Sequence, residues 1–161
     1  NNNLNTFKPY NKIYNILETK SENIYKLTKS YNIPIKKVNN FDQAKNFLKK
    51  NKSTIGLFLG GGIINKKIIN CFEIGIVNAH KGILPFYKGM HVAQASLSEG
   101  RLDLVGITTH LMEEGIDTGP IIKFYRINPF EYSRIENMKI EMSNLIPFLL
   151  LNSSNLYINC F

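Results

Sequence analysis

Apolar positions along this chain recur at two spacings, and the two alternate in a regular order. Ile13, Ile16, Leu17, Ile24 and Leu27 fall near a 3.6-residue period, which predicts helix within residues 11–30, ending before Pro34. A short extended piece over 33–38 follows. Phe41, Ala44, Phe47 and Leu48 mark one face of a second helix, whose lysines mark the solvated side. "TIGLFL" and "EIGIVNAH" are compact apolar runs with a short helical candidate, "IINKKIIN", between them; this predicts a β-α-β unit. "HVAQASLSEG" then predicts a helix closed by Gly100, "LDLVGITTHLM" a strand, "EEGIDTGP" a turn and "IIKFYRI" another strand. Ser133 and Glu136 fit a capping box that opens a last helix through "NMKIEMSNLI".

Strands separated by helices predict an α/β fold of Rossmann-like type: one open, mainly parallel sheet with helices on both faces. No repeat or low-complexity linker divides the 161 residues. They are read as a polar N-terminal segment (1–20), one domain (21–150) and a C-terminal tail (151–161). With 43% apolar residues the chain can build a core.

The net charge of +8 changes the picture less than its size suggests. Residues 1–53 hold eleven lysines against three acids, whereas the remainder holds nine basic and nine acidic residues. Only three of the basic residues are Arg, the side chain that reads phosphate and bases bidentately, so nucleic acid is a minor expectation. Cys71 and Cys160 form neither a disulfide framework nor a CxxC pair, and a reducing cytoplasm is the expected compartment. "LIPFLLL" is far short of the ~20 apolar residues of a membrane helix, and the Asn-rich start has no signal-peptide core.

Several chemistries are disfavoured by motif. "GGGIINKK" follows a strand but is neither GxGxxG nor GxxxxGK[ST], so Gly60 to Gly62 signal close backbone approach at a strand end, able to line a pocket. There is no GxSxG elbow, and Cys71 has no neighbouring base. His80, His91 and His110 show no HxxxH or HExxH spacing, so no metal is expected.

Asn78 and His80 stand at i and i+2 near the end of a predicted strand, and so point to one face beside the crevice beyond the carboxyl ends of the strands, where open parallel sheets bind ligands. A polar strand end is the plainer reading of that pair. Asp117 sits in a tight turn with Gly115, Gly119 and Pro120, where an Asx-turn is the plainer reading. Taken together, an amide, an imidazole and a carboxylate suit carbonyl addition by an amine: the first two stabilise an oxyanion, the last two manage the amine's proton. No covalent enzyme intermediate is required.

"VNAHKGILPFYKG" followed by "GITTHLMEEGIDTGPII" resembles the paired signatures of the folate-dependent formyltransferases: an NxH, a Leu-Pro turn with a basic-Gly end, then a DTGP loop. The family includes glycinamide ribonucleotide, methionyl-tRNA and amino-sugar enzymes. The resemblance implies a formyltransferase-like fold lacking its first strand, and transfer of a formyl group from 10-formyltetrahydrofolate to a primary amine. Asn78 and His80 would polarise the formyl carbonyl, with Asp117 orienting His80 and assisting proton transfer. His110, seven residues before Asp117, would be a supporting residue, at a spacing closer to the glycinamide and sugar enzymes. Gly62, Ile63 and Ile64, with Met112, Glu113, Glu114, Gly115 and Ile116, would wall the folate pocket. A small amine acceptor, an amino-sugar or glycinamide nucleotide, is expected ahead of tRNA, because no second domain follows the final helix. Hydrolysis of formyltetrahydrofolate, or a degenerate domain of the same fold, are the alternatives. Lys81 stands where the family has Pro or a small residue, and a cation beside His80 would disfavour its protonated form.

Overall fold

In the computed structural model, residues 23–160 are described. Of the helix predicted within 11–30, residues 11–22 lie outside the described residues; α1 (Ile24–Ser30) falls in the rest, and Asn23 caps it by accepting from the Tyr25 N–H. Residues 33–38 form no strand. The predicted second helix is a 3-10 turn (Phe41–Ala44) running into α2 (Lys45–Lys50), with the Asn40 side chain accepting from Gln43 N–H at the entry. Then follow β1 (Ser53–Phe58), the one-turn α3 (Lys66–Ile69), β2 (Phe72–His80), α4 (Val92–Ser98), β3 (Gly106–Leu111), β4 (Ile121–Arg126) and α5 (Ile135–Ile158).

The strands lie in the order β1-β2-β3-β4 in one open sheet. The α/β class with an open sheet and helices on both faces is as expected; the pairing, expected to be mainly parallel, is mixed. β1 and β2 are parallel, while β2–β3 and β3–β4 are antiparallel. The connections explain this. His80, the last residue of β2, pairs with Thr108 near the start of β3, so the chain leaves and re-enters at the same end. The connection, residues 81–105 with α4 (Val92–Ser98) in it, thus brings the chain back beside the point where it left β2. β3 and β4 are joined by residues 112–120, closed where Leu111 N–H donates to the Pro120 carbonyl at 2.9 Å.

Side-chain alternation sorts the sheet into two faces. Val77 and Ala79 on β2, Ile107 on β3 and Tyr125 on β4 pack with Ala93 and with Met138, Met142, Leu149 and Leu150 of α5. Those four helix positions recur near the helical period, giving the apolar stripe that holds α5 down. A buried polar tie supplements it: Ser153 Oγ lies 2.7 Å from Thr109 Oγ1 and 3.1 Å from the Tyr125 hydroxyl. On the opposite face Ile76 packs with Ile64 and Ile68, bordered by Phe41, Phe58 and Met112. Asn78 and His80 share that face with Ile76 by the period of two.

Two details of α5 differ from the sequence reading. The helix begins at Ile135 with Arg134 as its cap and no side-chain capping bond, so the Ser133/Glu136 box does not form. It also continues to Ile158 through Pro147, so 151–158 are helical rather than a separate tail. The reason is burial: Leu149, Leu150 and Ser153 lie beyond the proline and reward continuation of the helix.

This packing predicts contrasting outcomes for adjacent leucines of α5. Leu150→Ala, at a 1% exposed position, lowers the free energy of unfolding by about 2–5 kcal/mol in urea denaturation. Leu151→Ala, at a 54% exposed position, changes it by less than about 0.5 kcal/mol.

Candidate functional site

Three segments converge on the Ile76 face of the sheet. β2 supplies Asn78 and His80, β3 supplies Thr108 and His110 in register opposite them, and the loop after β3 supplies Asp117. Asp117 adopts a left-handed conformation (φ 49°), which Asp tolerates better than most residues. Gly119 beside it is also left-handed (φ 102°), and a Cβ there would strike the Leu111 carbonyl oxygen, so this turn requires glycine. The turn aims the Asp117 carboxylate back at β2. Its Oδ2 accepts from Gly89 N–H at 2.8 Å and lies 3.1 Å from His80 Nδ1. One oxygen thereby joins both signature stretches and the end of β2.

The hydrogen-bond partners fix the orientation of His110 and Asn78. His110 Nδ1 lies 2.8 Å from the Leu111 carbonyl and 3.0 Å from that of Thr118; both are acceptors, so Nδ1 carries the proton. Nε2 is then an acceptor, and it receives Asn78 Nδ2–H at 3.2 Å. This sets the amide with its NH2 group toward His110. The second amide hydrogen has only Asp117 Oδ1 at 3.5 Å, a long contact that an incoming carbonyl oxygen can replace.

His80 is held differently, with acceptors at both nitrogens. Asp117 Oδ2 faces Nδ1, and the Tyr87 carbonyl lies 2.8 Å from Nε2. Only the doubly protonated ring serves both contacts. Burial opposes that charge and pushes the imidazole below its ordinary pKa, outweighing the upward pull of Asp117 and of the Tyr87 carbonyl; His110 adds to the downward push. His80 thus combines two acceptor contacts that favour the protonated ring with a burial that opposes it.

Several neighbours that the sequence reading passed over build this arrangement. Thr108 Oγ1 donates to the Gly82 carbonyl at 2.6 Å and accepts from Leu84 N–H at 3.1 Å, fixing the start of the turn after His80. Its signal was its place two residues before His110 on the same strand face. Gly89 contributes through its backbone, which side-chain reasoning does not register. Lys81 is corrected: Nζ donates to Ser143 Oγ on α5 at 3.0 Å, and the cation does not act on His80. At the end of a strand, residue 81 turns to the opposite face from residue 80.

The residues expected around a folate are divided by the structure. Two adjoining hollows of about 390 Å³ each share Asp42 and Asn65, which are bonded to each other at 2.6 Å. Ile63 lines one and Glu114 the other. The Ile63 side chain is 75% exposed, whereas Ile64 is buried against Ile68 and Ile76 and has only its backbone to offer. Gly62 is left-handed (φ 99°), with open space where a side chain would be. Met112 is partly buried beside the second core, and Glu113, Gly115 and Ile116 are exposed on the loop bearing Asp117.

The profile described as "Formyl transferase" matches residues 26–142, which takes in both signature stretches and every residue of the cluster. The chain belongs to the formyl transferase family. Its curated relatives include the methionyl-tRNA formyltransferase of Thermodesulfovibrio yellowstonii, 33% identical over 102 residues, a match covering 61% of this chain and 33% of the relative. The chain thus spans about a third of the length of the curated relatives it matches. Among solved structures, phosphoribosylglycinamide formyltransferase from Streptococcus pneumoniae shares the fold, with a TM-score of 0.65 at 19% identity over 86% of this chain and 82% of that one. A formyltransferase from Anoxybacillus kamchatkensis, crystallised with UDP-4,6-dideoxy-4-formamido-L-AltNAc and tetrahydrofolate, is 26% identical with a TM-score of 0.52, over 63% of this chain and 52% of that one.

The downward shift of His80 fixes the sign of one pH effect. The unfolded chain takes up a proton at His80 near its ordinary pKa of about 6.5, and the folded chain only at lower pH. Between those two values the unfolded state binds more protons, so this contribution to stability is complete above the window and is lost as pH falls through it. In His80→Gln, the fall in urea midpoint between about pH 7.5 and about pH 5.5 is predicted to be shallower than in the wild type. An equal or steeper fall refutes the assignment.

Proposed function

We propose that this chain transfers a formyl group from 10-formyltetrahydrofolate to a primary amine. The observation that carries the reading is the joint engagement of Asn78, His80, His110 and Asp117 in one hydrogen-bonded cluster on one sheet face. Asn78 Nδ2 offers its second hydrogen to the formyl oxygen as the amine adds and negative charge develops there. The Asp117–His80 pair takes the proton that the amine nitrogen loses and returns one to the departing folate nitrogen as its bond to the formyl carbon breaks. His110 holds the Asn78 amide in the donating orientation. The Gly60 to Gly62 backbone, open at Gly60 and Gly62, suits close approach of a flat heterocycle, and exposed Ile63 supplies apolar contact.

The acceptor divides into two readings. An amino-sugar or glycinamide nucleotide is supported by the His110 spacing, and methionyl-tRNA is favoured by the identity to the tRNA enzymes.

A screen with both small amines and charged initiator tRNA is predicted to yield tetrahydrofolate together with a formamide product. Asp117→Asn lowers kcat/KM by about 10²–10⁴-fold while folate binding persists. Release of formate without any amine would instead identify water as the acceptor. Folate binding with neither outcome would refute catalysis by this chain.

A further inference from the structure

The turn after His80 is fixed at two points, and its last residue meets the ring. At its start, Thr108 Oγ1 binds the Gly82 carbonyl and the Leu84 N–H. Tyr87 N–H closes it on the Ile83 carbonyl at 3.1 Å. At its end the Tyr87 hydroxyl donates to Glu99 Oε2 at 2.5 Å, beside the C-terminus of α4. Between these anchors the Tyr87 carbonyl stands 2.8 Å from His80 Nε2. The fit is close enough to dictate Gly82, where a Cβ would lie 2.8 Å from Nε2 and 3.0 Å from the Tyr87 oxygen.

We propose that Tyr87 is a positioning residue for His80: its backbone carbonyl holds the Nε2 proton, and its phenol, anchored on Glu99, keeps that carbonyl in place. The role rests on the formyl-transfer reading of His80, and it makes Glu99, an exposed residue outside the cluster, part of the control of the histidine's proton. The titratable groups facing His80 are Asp117 at Nδ1 and His110 on β3; those around the phenol are Glu99, Arg101 and Asp103. Lys81 is turned away toward Ser143.

The geometry makes the anchor separable from the carbonyl. Tyr87→Phe removes only the hydroxyl of a partly exposed side chain, so the turn keeps its backbone and its attachment to Thr108. Ring ¹⁵N spectra of the full chain, recorded across pH with exchange of the Nε2 proton, read the effect without substrate. In Tyr87→Phe and Glu99→Ala the Nε2 proton is expected to exchange roughly fivefold faster, the worth of one weakened hydrogen bond. The His80 midpoint moves to lower pH, because the carbonyl favours the protonated ring. Glu99→Gln keeps an acceptor for the phenol and restores wild-type values. The acid limb of the formyl-transfer rate shifts with the ring midpoint. Wild-type exchange and midpoint in both Tyr87→Phe and Glu99→Ala overturn the proposal. Altered ring behaviour in a chain that transfers no formyl group upholds the positioning role and removes the formyl-transfer reading, so the two fail separately.

Discussion

Asp117 Oδ2 is the point on which the site depends. It receives the Gly89 N–H from the end of one signature stretch while facing His80 Nδ1 from the end of β2. A single oxygen cannot satisfy both unless the loop after β3 folds back over the sheet. The antiparallel pairing of β2 with β3 makes that possible, because it starts the loop beside Val77 and leaves it a short path across Asn78 and His80. The left-handed backbone at Asp117 is the local cost of the geometry, Gly119 adopts its own without strain, and the closure of Leu111 on Pro120 helps to hold the loop.

Two histidines with similar burial acquire opposite tasks from their partners. His110 faces two carbonyls at Nδ1 and an amide donor at Nε2, so one tautomer serves all three hydrogen bonds and Nε2 acts as the acceptor for Asn78. His80 faces acceptors at both nitrogens, so its neutral form leaves one contact without a proton while its charged form suffers from burial. In the proposed reaction, that frustration is what lets a proton move. A cluster in which every ring was satisfied would be more stable and chemically inert.

Much of this was legible in the residues. The period-two placement of Asn78 and His80 assigned them one face, and the helical spacing of Phe41, Ala44, Phe47 and Leu48 marked a face of which Phe41 and Leu48 pack on the second core, since both follow from local alternation that tertiary packing preserves. The sense of β3 and β4 was not legible, because an apolar run reads the same in either direction and the pairing is decided by where the connections bring the chain back to the sheet. The capping box was legible as a motif but does not form, since Arg134 takes the cap position with no side-chain capping bond. Tyr87 and Gly89 escaped notice for another reason: they act through backbone atoms, which the identity of a side chain does not advertise.

The central claim is that Asn78, oriented by His110, presents its second amide hydrogen to the formyl oxygen while Asp117 and His80 stand ready for the proton. A crystal structure of the chain with a non-transferring 10-formyl folate analogue tests it most directly. The account predicts the formyl oxygen within hydrogen-bond distance of Asn78 Nδ2, in place of the long contact to Asp117 Oδ1, with the Gly89 bond to Asp117 intact. A formyl group seated away from Asn78, with that amide still directed at Asp117, would contradict it.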